Sequence, residues 1–517
     1  MDTIITPWTD IVGFPVLTIV TAVPLLTACA IFFLTSQAVA IRVGFAGALF
    51  TLLLAIYIVF IFDTSLPGIQ LYERLQNNIF TYTTGVDGTN ILFIPLTALL
   101  AVVVLVYMLT TRRADDRIQI SSLLAYEGIL IGAFVSMNAL QFWFWCFMEL
   151  IPVTIMTFRA GSGNNRRWVV ALLLQHWGSG LMMSLIGFLL LAFAVMGDGD
   201  FLSFDWIILK DTKVILEYGT LIFFLLFFGF AIRMPIFPFH GWLPIVAEQG
   251  TVASCAIFLM SIKVGIYAAI RFIIPIIPTI AQEWSWFVLV LGLISIFYGA
   301  LLALMQINIR RLIAFAVLSH TGMLIIGVFD FNLHGQEGSI LLSTTAYGLA
   351  TAGLIFCAGM IYKRTHTAYI PRLGGMFEVS YAIAFLFAIC ALSTMVMPGT
   401  PGFDGAHLLL EGTIMRHGWL VSIGIMIGNV FTAGLLLRAF QQIFISAPKR
   451  NMNILSNLTF PSHSRPPSRR NETIIAIVIC MFLIGVGFNT TPWIYMIDQN
   501  ANIFDGLNPS VYDTQNN

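Results

Sequence analysis

Arg233-Met-Pro-Ile-Phe-Pro-Phe-His240 closes one long apolar run, and Met397-Pro-Gly-Thr-Pro401 closes another. Both spell Met-Pro-x-x-Pro, with Pro235 and Pro238 in the first and Pro398 and Pro401 in the second, a constant offset of 163 residues. Glu248 and Glu411 stand at the same offset. A proline removes a backbone donor and clashes with the preceding turn, so two in a row break a helix. In a bilayer, broken backbone survives only where it is buried in protein or lines a wet cavity. Two interrupted spans at matching places in two halves mark a transport pathway. Kinks used only for packing are the bland alternative, and the arginine beside the first pair weighs against it.

Composition sets the solvent. The chain has 517 residues, 58% hydrophobic and 10% charged, where soluble domains carry roughly 25% charged residues. It reads as an all-α polytopic membrane protein. Met1–Asp10 lacks a basic leader region, so the first apolar run is expected to be a span and not a cleaved signal. Six cysteines are scattered singly, without metal or disulfide spacing. Zero net charge gives nucleic acid nothing to bind. No Gly-rich phosphate loop, flavin or nicotinamide motif occurs. The chain is therefore expected to hold no cofactor, and any redox chemistry is expected to lie on another chain.

At about 20 apolar residues per helix, the sequence gives about fourteen spans between residues 14 and 490. Residues 1–117 hold the first three. Residues 118–275 and 276–445 read as two five-helix repeats, interrupted after the seventh and twelfth spans. An odd number of helices per repeat makes them inverted. A Pro, Ser and Arg-rich loop follows at 446–471, then a last helix and a polar tail, 472–517, lying on the opposite surface. With loops numbered alternately, one side receives 18 lysines and arginines and the other 5. The basic side is then cytoplasmic, with both termini on the far side.

That tally counts Arg74, Lys210, Lys213, Arg271 and Arg416 as loop cations of the poorer side. It leaves Arg233 and Lys263 deep in the apolar part of the chain. A charge at the bilayer centre costs about 2.5–3.5 kcal/mol on insertion scales, so such residues are read as functional. Lys263 suits a site that takes up and releases a proton, because burial disfavours a charged ammonium; a lysine locked in an ion pair is the alternative. Arg233 stays protonated and cannot relay a proton itself, but it can hold a carboxylate, and Glu149 is its expected partner. His320 titrates near neutral pH and passes a proton between its two nitrogens. His240 is a candidate for the same chain, as is Glu127 in the fourth span. Asp404, His407 and Glu411 are expected to gather around the second break.

These words, with Gly85-Val-Asp-Gly88, Met148-Glu-Leu-Ile-Pro152, Lys263-Val-Gly-Ile-Tyr267 and Ser319-His-Thr-Gly322, resemble the antiporter-like proton-channel subunits of complex I. The likeness runs over some 400 residues and is nearest the M/D/chain-4 branch, as in cyanobacterial and plastid NDH-1. It implies a proton-translocating unit in the membrane arm of an NAD(P)H- or ferredoxin-driven quinone oxidoreductase, beside other membrane-arm subunits and lipid. A thylakoid or bacterial inner membrane, and the form of the complex devoted to inorganic-carbon uptake, go with the same resemblance. Lys263 matches the family's central lysine and His320 its tenth-helix histidine, while Arg233 stands where a lysine is usual. Phe147, Tyr347 and Ala406 occupy or lie near positions where the family has titratable residues, and Glu149 matches a second glutamate of the cyanobacterial and plastid branch. A cation/proton antiporter of the Mrp type, or a non-pumping segment of the arm, is the competing expectation.

Overall fold

The computed structural model describes residues 4–76, 81–110, 117–161, 165–196, 202–211, 218–330, 337–447 and 470–498. Most of the loop expected at 446–471, and the tail beyond residue 498, lie outside the described residues.

The chain opens with strand β1 (Ile5–Pro7) and helices α1 (Val16–Phe33) and α2 (Gln37–Ile61). Strands β2 (Ile69–Gln76) and β3 (Thr81–Val86) lead into α3 (Phe93–Thr110). Then come α4 (Arg117–Val135), α5 (Ala139–Met148), α6 (Leu150–Ala160), α7 (Arg166–Val195), α8 (Trp206–Asp211), α9 (Gly219–Arg233), α10 (Trp242–Gln249) and α11 (Val252–Ala268). The second half carries α12 (Pro278–Glu283), α13 (Ser285–Leu304), α14 (Ile309–Val328), α15 (Glu337–Thr365), α16 (Met376–Val379), α17 (Tyr381–Thr394), α18 (Gly402–His417), α19 (Trp419–Phe440), α20 (Arg470–Phe488) and α21 (Thr491–Asp498). A π turn, Ala269–Ile273, prolongs α11.

Ten described helices are long and apolar enough to cross a bilayer, and three shorter apolar ones join them: Phe93–Leu109, Gly219–Arg233 and Tyr381–Thr394. The helical reading holds, and the structure adds one small sheet, in the order β1-β2-β3. β2 pairs antiparallel with β3, Leu75 opposite Tyr82. The sheet caps a helix: buried Glu73 on β2 accepts the N–H groups of Leu17 and Thr18, at 2.8 and 3.0 Å. These are donors that the first turn of α1 leaves unsatisfied.

Both breaks fall where the prolines put them. Between α9 and α10 the backbone finds partners within the protein, as a bilayer demands. Trp242 Nε1 donates to the Ile232 carbonyl at 2.8 Å, and the Phe237 N–H donates to Ser295 Oγ at 2.9 Å; the Phe237–Pro238 peptide is cis. Between α17 and α18, Asn429 Nδ2 donates to the Met395 carbonyl at 3.2 Å, and Gly399 takes a φ of 86°, which favours glycine.

Loop contacts sort the two ends as alternate counting does. At the basic end, Arg117 reaches the Leu34 carbonyl, Arg310 donates to the Glu248 and Gly250 carbonyls at 3.3 Å each, and Asn308 bridges to Tyr369. At the other end Ser136 bridges to Thr84 and Asn138 to Asp205, and Gly88 lies against the Ile497 backbone. The helices meet through small residues, as membrane helices do. A Cβ on Gly180 of α7 would stand 2.6 Å from the Gly229 carbonyl of α9.

Candidate functional site

Glu149 lies at the joint of α5 and α6, and the end of α9 brings Arg233 into contact with its carboxylate. Tyr126 Oη, from α4, donates to Glu149 Oε1 at 2.8 Å. Ser261 of α11 donates to the same oxygen and accepts from Arg233 Nη2 at 3.1 Å. The guanidinium stacks over the Trp177 ring of α7, 4.9 Å from its centroid. Glu149 is 0% exposed and Arg233 4%. A buried pair repays its desolvation only when further hydrogen bonds fill the remaining lone pairs. Tyr126 and Ser261 supply them at Oε1, while Arg233 Nε has no hydrogen-bond partner among the described residues. Phe147, two residues earlier and about 200° round the helix, points outward against Trp143, with ring centroids 5.5 Å apart.

α11 divides two polar groups. Ser261 and Lys263 are two residues apart, hence roughly 200° apart on the helix, so Lys263 leaves by the face opposite the Glu149 pair. Its stem lies against Gly348 of α15, where an added Cβ would stand 3.9 Å from Lys263 Cγ. Lys263 is 1% exposed, and no carboxylate among the described residues pairs with it. His320 of α14 reaches the neighbouring residue of α15. Its ring stacks on Tyr347 of α15, centroids 4.7 Å apart and 21° between planes. His320 Nε2 and Tyr347 Oη are buried without a hydrogen-bond partner among the described residues.

The remaining candidates are not brought into this line. His240 sits among rings, 5.0 Å from Tyr298 and 6.0 Å from Phe237 between centroids, with Nδ1 unpartnered. Glu127 is 0% exposed and neither of its oxygens has a partner among the described residues. One residue from Tyr126, it points about 100° away from the Glu149 pair. Asp404, His407 and Glu411 share one face of α18, but they do not converge on an inward site. Asp404 accepts from Thr490 at the α20–α21 corner, while His407 and Glu411 face outward. The expected gathering around the second break is corrected accordingly: spacings of three and four residues align side chains on one face and say nothing of which way it points. Ala406 is the inward residue there, 5% exposed.

A second correction concerns the cations. Arg271, Arg310 and Arg364 are also buried, at 2%, 6% and 6% exposure. Arg271 pairs with Asp87 at 2.6 Å, and Arg364 with Glu472, which also lies 3.8 Å from Lys363. These stand at helix ends, where a sequence reading assigns arginines to water. For Arg271 and Arg364 the signal was an acid elsewhere in the chain, while Arg310 is held by the Glu248 and Gly250 carbonyls.

A family model described as "NADH:quinone oxidoreductase/Mrp antiporter, TM" matches residues 136–432, more than half of the chain. The chain belongs to that family. The match spans Glu149, Arg233, Lys263, His320 and Tyr347, and leaves α1–α4, with Glu127 and Asp87, outside it. Two relatives within the NADH:quinone oxidoreductase group are similar over most of their length. The "NADH-quinone oxidoreductase subunit M" of Rickettsia conorii is 29% identical over 409 residues, covering 78% of this chain and 81% of that one. The "NAD(P)H-quinone oxidoreductase chain 4, chloroplastic" of Mesostigma viride is 28% identical, covering 85% and 86%. A chain of respiratory complex I from Thermus thermophilus superposes with a TM-score of 0.81 at 24% identity, over 94% of this chain and 99% of its own. A chain of the Mrp complex from Dietzia sp. gives 0.82 at 19% identity, over 97% and 98%. At these identities the structures show a shared fold.

Proposed function

We propose that this chain is a proton-translocating membrane-arm subunit of a complex-I-like NAD(P)H- or ferredoxin-driven quinone oxidoreductase. One observation carries the reading: Lys263 is buried in mid-helix with no carboxylate partner among the described residues, between the Glu149–Arg233 pair and the His320–Tyr347 stack. With no carboxylate among the described residues to hold a protonated Lys263, its proton is available to His320. Opening the Glu149–Arg233 pair moves the nearest fixed charges across α11 and biases that transfer. Electron transfer and cofactors belong to other subunits.

The test is Lys263→Ala in the complex as isolated from its own membrane. Assembly and quinone reduction without a proton gradient are expected to persist, while redox-driven proton uptake into vesicles is lost. Unchanged proton uptake in an assembled Lys263→Ala complex overturns the proposal.

The outward-facing His407 and Glu411, with Ala406 inward, favour a second reading, a structural segment of the arm that moves no protons. Unchanged uptake in Lys263→Ala is what that reading requires. Co-purification with small antiporter subunits and no redox subunits would point instead to a cation/proton antiporter.

A further inference from the structure

Lys263, Tyr267 and Arg271 follow one another at four-residue spacing on α11 and its π turn, so their side chains stay within about 80° of one another. The file runs from mid-helix toward the end of the molecule that carries the strands. A proton on Lys263 would escape along it if it conducted, and every contact at its far end opposes conduction.

Arg271 Nη2 lies 2.6 Å from both Asp87 Oδ1 and Thr89 Oγ1, and Arg271 Nε donates to Tyr267 Oη at 3.2 Å. Tyr267 Oη spends its own proton on the Phe134 carbonyl, at 2.8 Å. The Arg271 carbonyl accepts from Trp206 Nε1 at 2.6 Å, and the guanidinium stands 4.9 Å from the same indole ring. Phe93, Phe134 and Phe142 ring Tyr267 at centroid distances of 5.9, 5.4 and 6.1 Å. Tyr267 is 0% exposed, Arg271 2%, and Asp87 and Thr89 5% each. None of these four residues has a buried polar atom left without a partner, unlike His320 and Tyr347. A guanidinium never gives up its proton, and a fixed arginine in a narrow passage repels protons and cations.

We propose that Asp87, Thr89, Tyr267 and Arg271 form a proton-excluding plug at the strand end of α11. The plug leaves the His320 side as the way out for a proton on Lys263, so it sets direction without touching the transferred proton. This rests on the proton-translocating reading above. It also accounts for the fixed place of the Gly85–Gly88 turn, which presents Asp87 to α11.

The experiment uses the intact complex in sealed vesicles without redox substrate, an acid jump outside and a pH dye within. Asp87→Asn removes the counter-charge, and Tyr267→Phe removes a single hydroxyl. Each is expected to speed passive acidification several-fold, and adding Lys263→Ala is expected to abolish that leak. A generally damaged membrane domain would leak whether or not Lys263 is present. Assembled Asp87→Asn or Tyr267→Phe complexes as proton-tight as the parent overturn the plug, and so does a leak that survives Lys263→Ala. If Asp87→Asn does not assemble, Tyr267→Phe alone decides. Failure of the underlying reading looks different: Lys263→Ala alone then leaves redox-driven uptake intact.

Discussion

Glu149→Gln isolates the energetics of the inner ion pair. Glutamine keeps the shape and a carbonyl for Tyr126 and Ser261, but it strands the Arg233 guanidinium, 4% exposed, without a counter-charge. Breaking a buried pair from one side costs about 3–5 kcal/mol. That is a shift of roughly a hundred- to several-thousand-fold in the folding equilibrium. The stack on Trp177 is present in both proteins and cancels in the difference. A net loss of about 3–5 kcal/mol is expected. Arg233→Gln added to Glu149→Gln removes the stranded charge, so the double variant is expected to be more stable than Glu149→Gln alone. Reversible unfolding in mixed detergent micelles measures all three, with thiol labelling of buried Cys146, Cys357 and Cys390 as the readout. A Glu149→Gln cost below about 1 kcal/mol would mean that the pair is screened and contributes as a surface bridge does. A double variant no more stable than Glu149→Gln alone would equally refute the reasoning.

Two further predictions concern packing and anchoring, beside those made above for Lys263 and the plug. Gly229→Ala places a methyl 2.8 Å from the Ser184 backbone nitrogen and 2.9 Å from the Gly180 carbonyl, neither of which can rotate away. It is expected to cost about 1–3 kcal/mol or more, whereas Gly178→Ala, with nothing within 4 Å, gains about 0.5–1 kcal/mol in the same unfolding assay. Arg364→Ala removes the two-pronged guanidinium partner of Glu472, 1% exposed, and is expected to cost about 3 kcal/mol. Arg364→Ala paired with Glu472→Ala is expected to recover part of that loss.

The fold was largely legible because a bilayer forces it to be. Runs of about 20 apolar residues have few alternatives, and Pro235, Pro238, Pro398 and Pro401 place both breaks. Glu149 and Arg233 were legible as a pair because each is a rare charge in apolar surroundings. Orientation was harder to read. Nothing in Asp404, His407 and Glu411 tells which way their shared face of α18 points, since the face opposite is made mostly of small residues (Gly402, Gly405, Ala406, Gly412) with Leu409 alone among them. Arg271 was hidden for a different reason. It stands two turns from Lys263, near enough to a helix end to be taken for a solvated cation, and its partner Asp87 lies 184 residues away in sequence. The strands were not legible because β1 has three residues and the longer β2, Ile-Gln-Leu-Tyr-Glu-Arg-Leu-Gln, does not alternate strictly between apolar and polar.

The two broken helices also bear on how the chain enters its membrane. α9 has 15 residues and α17 has 14, short of the roughly 20 that an independent span needs. Neither is a good substrate for a translocon that partitions one segment at a time, and α9 ends on a charge. Each enters most cheaply as a hairpin with the helical piece beyond its prolines. The Trp242–Ile232 bond then closes the first break as soon as the two pieces meet. Biogenesis of this chain is therefore expected to proceed in pairs at these two points, leaving them the places most dependent on an insertion factor.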